Sequence, residues 1–289
     1  MFRSSLRFIF ILIATFALLT PAIAEPQSGN IYWAPENATV GGAKIDLILN
    51  AITALTAIVF VATQIVFIYY LVKYRRKKGV KAHYSHGNNT LEVLWTLAPT
   101  VIFIALVIWS IRVWHELLES PIPEDALEVE IVGYQFGWDF LYSGADGKLG
   151  ESDVRLISAD NKFGTVKDDP AGKDDFTAAE FVVPVHKVVH LLLRSRDVIH
   201  SFYVPQFRLY QDIVPGRTIS WVRFQTIRTG DFELACSQLC GAGHFNMKAK
   251  IRVVSQKEYD KWHAGKVQQT ALQNAATDQS VVQTSGQTK

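Results

Sequence analysis

The sequence between residues 236 and 247 is Cys236-Ser237-Gln238-Leu239-Cys240-Gly241-Ala242-Gly243-His244-Phe245-Asn246-Met247. This loop contains both cysteines of the chain and its only methionine besides Met1. Thiolate and thioether sulfur favour Cu(I), and imidazole suits copper in both oxidation states. One blue-copper ion needs a single cysteine. Two cysteines, His244, Met247 and a further histidine would supply bridging thiolates and a terminal nitrogen for each of two ions, so the loop predicts a binuclear copper electron carrier.

Two other interpretations fit the cysteines. In an exported chain, two cysteines four residues apart often form a disulfide, but a disulfide leaves His244 and Met247 unexplained. A chain with so little methionine has no packing reason to keep one in this loop. Zinc accepts cysteine and histidine, yet structural zinc sites rarely use a thioether, and the sequence has no C-x-x-C pair and no further cysteine.

The N-terminus has the features of a secretory signal peptide, which we place at residues 1–24. Arg3 and Arg7 precede an apolar run from Phe8 to Leu19, and small residues follow at 22–24. An uncleaved anchor helix is the alternative, although this run is shorter than the roughly 20 residues that a bilayer requires. Residues 25–44 would then form an N-terminal segment on the periplasmic side.

Residues 45–115 are predicted to form a transmembrane helical hairpin. The apolar runs Ile45 to Val72 and Leu91 to Trp114 are each long enough to cross a hydrocarbon core of ~30 Å. The loop between them, residues 73–90, is dense in lysine and arginine, and such loops stay in the cytoplasm. Nucleic-acid binding is the other interpretation of this basic run, but a short loop between two spans has little reach, so we expect no nucleic-acid partner.

The segment from Glu124 to Glu180 is acidic and would attract a basic partner. Its acidic residues include Glu128, Glu130, Asp139, Asp146, Glu151, Asp153, Asp168, Asp169, Asp174 and Asp175. A solvated surface that only keeps the domain soluble is the simpler explanation for each of them.

Residues 121–255 are predicted to form one small β-sandwich or barrel. Short segments with alternating or β-branched residues predict its strands. These segments are 127–132, 181–184, 188–194, 201–204, 219–224 and 248–254. Residues 143–175 are rich in Gly, Asp, Lys and Ser and predict a long loop. A short helix with Ser255 as N-cap and Glu258 as its capping-box partner, followed by a disordered tail, is expected for residues 256–289.

These motifs together resemble subunit II of cytochrome c oxidase, the branch of the haem-copper oxidases that carries the binuclear copper centre called CuA. The resemblance covers about Ile45 to Val254. It depends on the two spans, the β domain, the cysteine loop, the segment Asp197-Val198-Ile199-His200-Ser201-Phe202 and Pro215-Gly216-Arg217. It implies a cupredoxin-like fold for the β domain.

The resemblance also implies a role for each ligand. His200 and His244 would each bind one copper ion, and Cys236 and Cys240 would bridge both. Met247 would be a weak axial ligand of one ion, and the backbone carbonyl of Gln238 would bind the other.

Three further positions have counterparts in the family. The family commonly has Glu at Gln238, where the side chain helps to hold magnesium at the interface with subunit I; a neutral amide weakens that site. Phe136 and Trp138 lie in an aromatic stretch near the point where electrons enter. Glu92 matches a glutamate at the entrance of a proton channel into subunit I.

The implied function is the electron-accepting subunit of a respiratory oxidase in a bacterial inner membrane, with the copper domain on the periplasmic side. Subunits I and III would be its partners in the membrane. A separate cytochrome c would be the donor, because the sequence has no C-x-x-C-H haem-attachment motif. A membrane-anchored protein for copper storage or delivery is the alternative. A quinol oxidase subunit would lack the copper ligands, and nitrous oxide reductase would need a further propeller domain.

Overall fold

The computed structural model describes residues 34–158, 160–166 and 169–286, with side chains up to residue 276. The predicted signal peptide and the first part of the N-terminal segment lie outside these residues. Two long apolar helices come first, and a β domain with two sheets of five strands each follows. This order confirms the predicted fold class.

The two apolar helices are α1, Gly42–Lys73, and α2, Asn89–Trp114, which continues as a π-helical turn over His115–Glu119. At ~1.5 Å per residue, the 32 residues of α1 extend about 48 Å, more than a hydrocarbon core of ~30 Å requires. Both are long and apolar enough to cross a membrane, and the central part of each has no buried side chain. Asn88 begins α2, because its side chain accepts a hydrogen bond of 3.1 Å from the Leu91 amide.

The β domain packs one sheet on the other. The first sheet has the order β3-β2-β1-β5-β8, and the second has the order β4-β10-β9-β6-β7. The strands are β1 Leu127–Tyr134, β2 Gly137–Tyr142, β3 Phe176–Ala178, β4 Phe181–Pro184, β5 Val188–Ser195, β6 His200–Val204, β7 Leu209–Ile213, β8 Ile219–Gln225, β9 Gly230–Cys236 and β10 Lys248–Val254. The pairs β1–β5 and β4–β10 are parallel, and the other ladders are antiparallel.

Alternation along the strands builds the core between the sheets. In β1, Leu127, Val129 and Ile131 are buried in the main core. Across it, the rings of Phe140 in the first sheet and Phe181 in the second stack at 5.4 Å. The six predicted strands are confirmed, whereas β2, β3, β7 and β9 were not predicted from the sequence.

Residues 143–175, the excursion loop, cover the outer face of the first sheet. The loop has only short 3-10 turns and one isolated bridge, Ser152–Thr165, in its described part. Phe163 packs on Val132 and Leu141 of the sheet. Beside it, Arg194 pairs with Glu130 and also donates to the Phe163 carbonyl, and both charged side chains are almost fully buried. This ion pair links the loop to the sheet.

The C-terminal helix differs from the prediction. The capping box is present: the Glu258 amide donates to Ser255 Oγ at 3.3 Å, and Glu258 Oε2 accepts from the Ser255 amide at 3.0 Å. However, α3 runs over Gln256–Gly286, so the short helix and the disordered tail that we expected are wrong for the described residues. The tail has many good helix formers, such as Ala, Gln and Lys, and no proline.

Three contacts attach the β domain to the N-terminal end of α1 and the C-terminal end of α2; we call this region the junction. Residues 38–40 pair with 225–227, through an antiparallel bridge between Thr39 and Thr226. Arg208 forms a two-pronged ion pair with Asp46 of α1, at 2.7 and 3.0 Å. Arg223 of β8 donates to the Leu117 carbonyl at 3.0 Å. The junction therefore fixes the domain, and the loops that it carries, relative to the two helices.

Replacing Glu130 with Ala should destabilise the protein by roughly 3–5 kcal/mol, because Arg194 would be left buried without its carboxylate. The matched control is Glu128→Ala on the same strand. Glu128 pairs with His190 but is more exposed, so we expect a loss of at most ~1 kcal/mol. Urea unfolding of the purified full-length variants in detergent measures both values. Equal losses for the two variants would contradict a structural role of the buried pair.

Candidate metal centre

The cysteine loop connects β9 to β10. Cys236 is the last residue of β9, and Met247 immediately precedes β10. The Cys236 amide donates to the Met247 carbonyl at 3.0 Å, which closes the loop at its base. A 3-10 turn over His244–Asn246 then directs His244 back toward the cysteines. The ladder between the two strands therefore determines where the loop ligands lie.

His200 reaches the loop from a neighbouring strand. It begins β6, which pairs with β9 so that Phe202 lies opposite Cys236. A separation of 36 residues in sequence thus becomes 3.9 Å between His200 Nδ1 and Cys236 Sγ. The predicted histidine and cysteine ligands are together in the structure.

The remaining predicted ligands lie around the two sulfur atoms. Cys240 Sγ is 3.8 Å from Cys236 Sγ, 3.6 Å from His244 Nδ1 and 3.8 Å from Met247 Sδ. The Gln238 carbonyl oxygen is 3.1 Å from Cys236 Sγ. Each sulfur atom thus has an imidazole nitrogen beside it, and the thioether and the carbonyl lie next to different sulfur atoms.

This donor set fits copper better than a disulfide. Both cysteines are free, and their separation of 3.8 Å is far longer than a disulfide bond of ~2.05 Å. Two thiolates that bind one ion at ~2.3 Å with tetrahedral angles lie about 3.8 Å apart. A thioether, two imidazoles and two thiols are the soft and intermediate ligands that copper prefers. The residues present therefore fit a binuclear copper centre.

Asp197 holds the ring of His200 in place. Its Oδ1 is 2.7 Å from His200 Nε2, so Nδ1 is the ring nitrogen that faces the thiols. The same carboxylate accepts hydrogen bonds of 2.7 Å from the amides of Gln135 and Val198. Although partial burial acts in the opposite direction, these hydrogen bonds and the His200 ring lower the pKa of Asp197. The ionised carboxylate fixes the tautomer of the ligand, as in carboxylate–histidine–metal arrangements.

The turn between β1 and β2 packs on the cysteine loop. Gln135 Nε2 donates to the Cys240 carbonyl at 2.6 Å. A Cβ atom built on Gly243 would lie 2.5 Å from ring atoms of Phe136, so only glycine allows this close approach. Phe136 is 41% exposed, whereas Trp138 is 6% exposed and its ring lies 6.4 Å from the His200 ring. Phe136 therefore forms part of the surface over the loop, and Trp138 lies inside.

Sequence reasoning missed Gln135 and Asp197 as residues that support the centre. Asp197 stands three residues before His200, and Gln135 immediately precedes Phe136, so both lie in segments that the sequence analysis quoted. No signal in the sequence indicated that either side chain turns toward the loop.

Glu92 is far from this centre. It is exposed in the first turn of α2, whereas the β domain attaches at the other end of that helix. The intervening residues, 92 to 114, correspond to about 33 Å of helix. Its predicted role therefore concerns the opposite side of the membrane.

Comparison with known proteins agrees with the site. The family "Cytochrome C oxidase subunit II, periplasmic domain" matches residues 127–254, and "Cytochrome C oxidase subunit II, transmembrane domain" matches residues 29–113. The chain is 40% identical over 234 residues to "Alternative cytochrome c oxidase subunit 2" of Bradyrhizobium diazoefficiens, covering 80% of this chain and 82% of that protein. The chain belongs to the cytochrome c oxidase subunit II family. All the predicted copper ligands lie inside the first matched segment.

A second relative supports the same family assignment. "Cytochrome c oxidase subunit 2" of Cereibacter sphaeroides is 31% identical over 261 residues, which cover 83% of this chain and 81% of that protein. Among solved structures, the periplasmic domain of cytochrome oxidase subunit II of Bradyrhizobium japonicum is 32% identical. It aligns with a TM-score of 0.38 over 52% of this chain and 99% of that one.

The protonation of the Cys240 thiol in this subunit II chain would make metal uptake depend on pH. Burial, followed by the neighbouring Cys236 thiol, raises the pKa of Cys240 to about 11. Cys240 therefore carries its proton at neutral pH when no metal is bound. Because a metal ion binds the thiolate, the proton must leave as the ion enters.

Copper uptake should accordingly release protons, and the apparent copper affinity should increase as the pH rises from mildly acidic to mildly alkaline values. Titration of the metal-free protein with copper in a weakly buffered dye solution measures the release. The variant Cys240→Ser should release fewer protons per chain than the wild type. Uptake without proton release, or with equal release in the variant, would contradict this assignment.

Proposed function

We propose that this chain is the electron-accepting subunit of a respiratory cytochrome c oxidase. It would receive electrons from a cytochrome c at a binuclear copper centre and pass them to haem in subunit I, which supports oxygen reduction and proton translocation by the complex. One observation carries this proposal: two free thiols, two imidazoles, one thioether and one backbone carbonyl lie together. Neighbouring donor atoms in this group are 3.1–3.9 Å apart.

Each ligand has a distinct task in this proposal. Cys236 and Cys240 would bridge the two copper ions, and His200 and His244 would each bind one ion. Met247 would be a weak axial ligand on one side, and the Gln238 carbonyl would bind on the other. When bound, the copper pair supplies a site that takes up and releases single electrons.

The β frame keeps these ligands in place when the charge of the site changes. Cys236 and His200 belong to paired strands, and the Cys236–Met247 backbone hydrogen bond closes the loop. Cys236, Cys240, His200 and Met247 are all buried, so few water molecules would reorient around them. A rigid and dry ligand set favours fast electron transfer, because little rearrangement accompanies oxidation or reduction. The same burial makes exchangeable copper binding, as in storage or delivery, a poorer interpretation.

The surface beside the cysteine loop is where we place the docking of cytochrome c. Phe136 is exposed and packs directly on the loop, so it would contact the donor. Trp138 is buried beside His200, so it would act inside the protein, between the surface and the ligand.

The acidic segment supports a basic donor through its net charge. Residues 124–180 contain fourteen acidic and five basic residues. Several of these carboxylates bind groups of the chain itself: Glu130 pairs with Arg194, Asp139 with Lys162, and Asp174 accepts from the Ala145 amide at 2.5 Å. The attraction would therefore come from the summed field of the domain more than from individual free carboxylates.

The topology follows from the charge of the loop between the spans. The many lysine and arginine residues of 73–90 favour the cytoplasmic side of a bacterial inner membrane for that loop, and the copper domain would then lie on the periplasmic side. Glu92 would stand at the cytoplasmic end, at the entrance of a proton channel into subunit I. Subunits I and III would pack against α1 and α2.

A magnesium site at the interface with subunit I would be weak in this chain. The side chain of Gln238 is half-buried at the cysteine loop and would offer an amide oxygen where the family commonly has a carboxylate. Magnesium prefers charged oxygen ligands. The copper role of Gln238 does not depend on its side chain, because the ligand is the backbone carbonyl.

Two substitutions test the ligand assignment in the intact oxidase. Cys236→Ser should abolish reduction of the haem by cytochrome c, because the bridging thiolate is lost. Met247→Leu should retain copper but change the reduction potential, since only the axial ligand is lost. Ser237→Ala, an exposed neighbour, is the control. Rapid-mixing spectroscopy and metal analysis measure these effects, and a Cys236→Ser oxidase with two copper ions and normal haem reduction would contradict the assignment.

Phe136→Ala should slow electron transfer from cytochrome c by roughly tenfold or more, since an aromatic residue at the centre of an interface contributes about 2 kcal/mol. The matched control is Tyr210→Ala, an exposed aromatic residue on β7. The second-order rate of copper reduction, measured at low salt, reports the effect. Equal rates for the wild type and Phe136→Ala would exclude Phe136 from the docking surface.

A further inference from the structure

A cavity of about 540 Å³ lies at the junction, between the outer ends of α1 and α2 and the edge of the β domain. Its walls are mostly apolar: Leu49 and Ile52 of α1, Trp114 at the end of α2, and Val222 and Phe224 of β8. The volume is within the range of sites that bind small molecules, roughly 300–1,000 Å³. The copper ligands do not line it, so the proposed function does not use it.

The cavity is at the level where the two helices leave the hydrocarbon core. Lys73 is the charged residue at the C-terminal end of α1. A span of ~20 residues, which crosses ~30 Å of hydrocarbon, that ends at Lys73 begins at about residue 53, next to Ile52. Counted from Leu91, the same length of α2 reaches about residue 111, next to Trp114. Tryptophan is enriched at this boundary between membrane and water. The apolar walls thus continue the exposed apolar surface of the helices to the edge of the β domain.

Among the residues that the structure describes at the rim of the cavity, one positive charge, that of Arg223, has no carboxylate partner. Lys44 pairs with Glu116, and Arg208 pairs with Asp46. The guanidinium of Arg223, by contrast, donates to two neutral oxygens, the Leu117 carbonyl at 3.0 Å and Ser120 Oγ at 3.1 Å. Guanidinium groups bind phosphate oxygens well, and Arg223 is half-buried, so its charge is only partly hydrated.

We propose that the junction binds one phospholipid of the outer leaflet, with an acyl chain in the apolar cavity and the phosphate at Arg223. We expect an amphiphilic ligand because the site has both an apolar and a charged part. The walls consist of apolar side chains such as Leu49, Ile52 and Phe224, and the Arg223 cation lies at the rim. The lipid would fill the space between the β domain and the helices and support the position that the junction contacts define. The inference depends on the two-span topology and on no property of the copper site.

The test compares two leucine positions of α1 that are two residues apart and so point in nearly opposite directions. Leu49→Trp fills the cavity, whereas Leu47→Trp adds the same bulk to an exposed face outside it. Each full-length protein, delipidated in detergent, is titrated with phosphatidylglycerol and examined by native mass spectrometry. We expect one tightly bound lipid for the wild type and for Leu47→Trp, and at least tenfold weaker binding for Leu49→Trp.

A second variant tests the charge. Arg223→Gln keeps a hydrogen-bond donor near the Leu117 carbonyl but removes the cation, so phosphatidylglycerol should bind severalfold more weakly and with less dependence on salt. Equal affinity of Leu49→Trp and Leu47→Trp would overturn the proposal. A second result would also overturn the proposal: the intact oxidase retains no lipid, and a photoreactive residue at position 49 cross-links to another subunit. A protein side chain would then occupy the cavity.

Discussion

The ladder between β9 and β10 is the constraint on which the metal centre depends. It places Cys236 at the end of one strand and Met247 at the start of the next, and a backbone hydrogen bond between them closes a loop of twelve residues. Within that closed loop the two thiols are 3.8 Å apart and remain unlinked. Ligands of a single metal cluster need such a spacing, and a disulfide cannot have it.

The rest of the domain adds to this loop from three directions. Pairing of β6 with β9 supplies His200, and Asp197 orients its ring so that Nδ1 faces the thiols. The turn between β1 and β2 covers the loop through Gln135 and Phe136. At the opposite edge of the domain, the junction ties β8 and the segment before α1 to the membrane helices. One side of the domain thus carries the site with Phe136 exposed beside it, while the other is joined to the two apolar helices.

The sequence was sufficient for the parts that depend on local pattern and on ligand chemistry. Apolar runs predicted both spans. Alternation predicted β1 and β5, and a high content of β-branched and aromatic residues predicted β8. It was insufficient where tertiary contacts decide. β7 is an edge strand of which only Ile213 is buried, so it has no strong alternating pattern. β9 alternates, with Phe232, Leu234 and Cys236 buried, but it begins with Gly230 and Asp231, residue types that are depleted in strands. The contacts of Asp197 and Gln135 with the site depend on how separate strands align, which no local pattern records.

The proposed centre is a pair of copper ions that share one unpaired electron. Electron paramagnetic resonance of the copper-loaded wild-type protein in its oxidised, mixed-valence state, formally one Cu(I) and one Cu(II) ion, is recorded together with metal analysis. We expect two copper ions per chain and a hyperfine pattern of one unpaired electron distributed equally over two copper nuclei. One copper ion per chain with the hyperfine pattern of a single nucleus would contradict it.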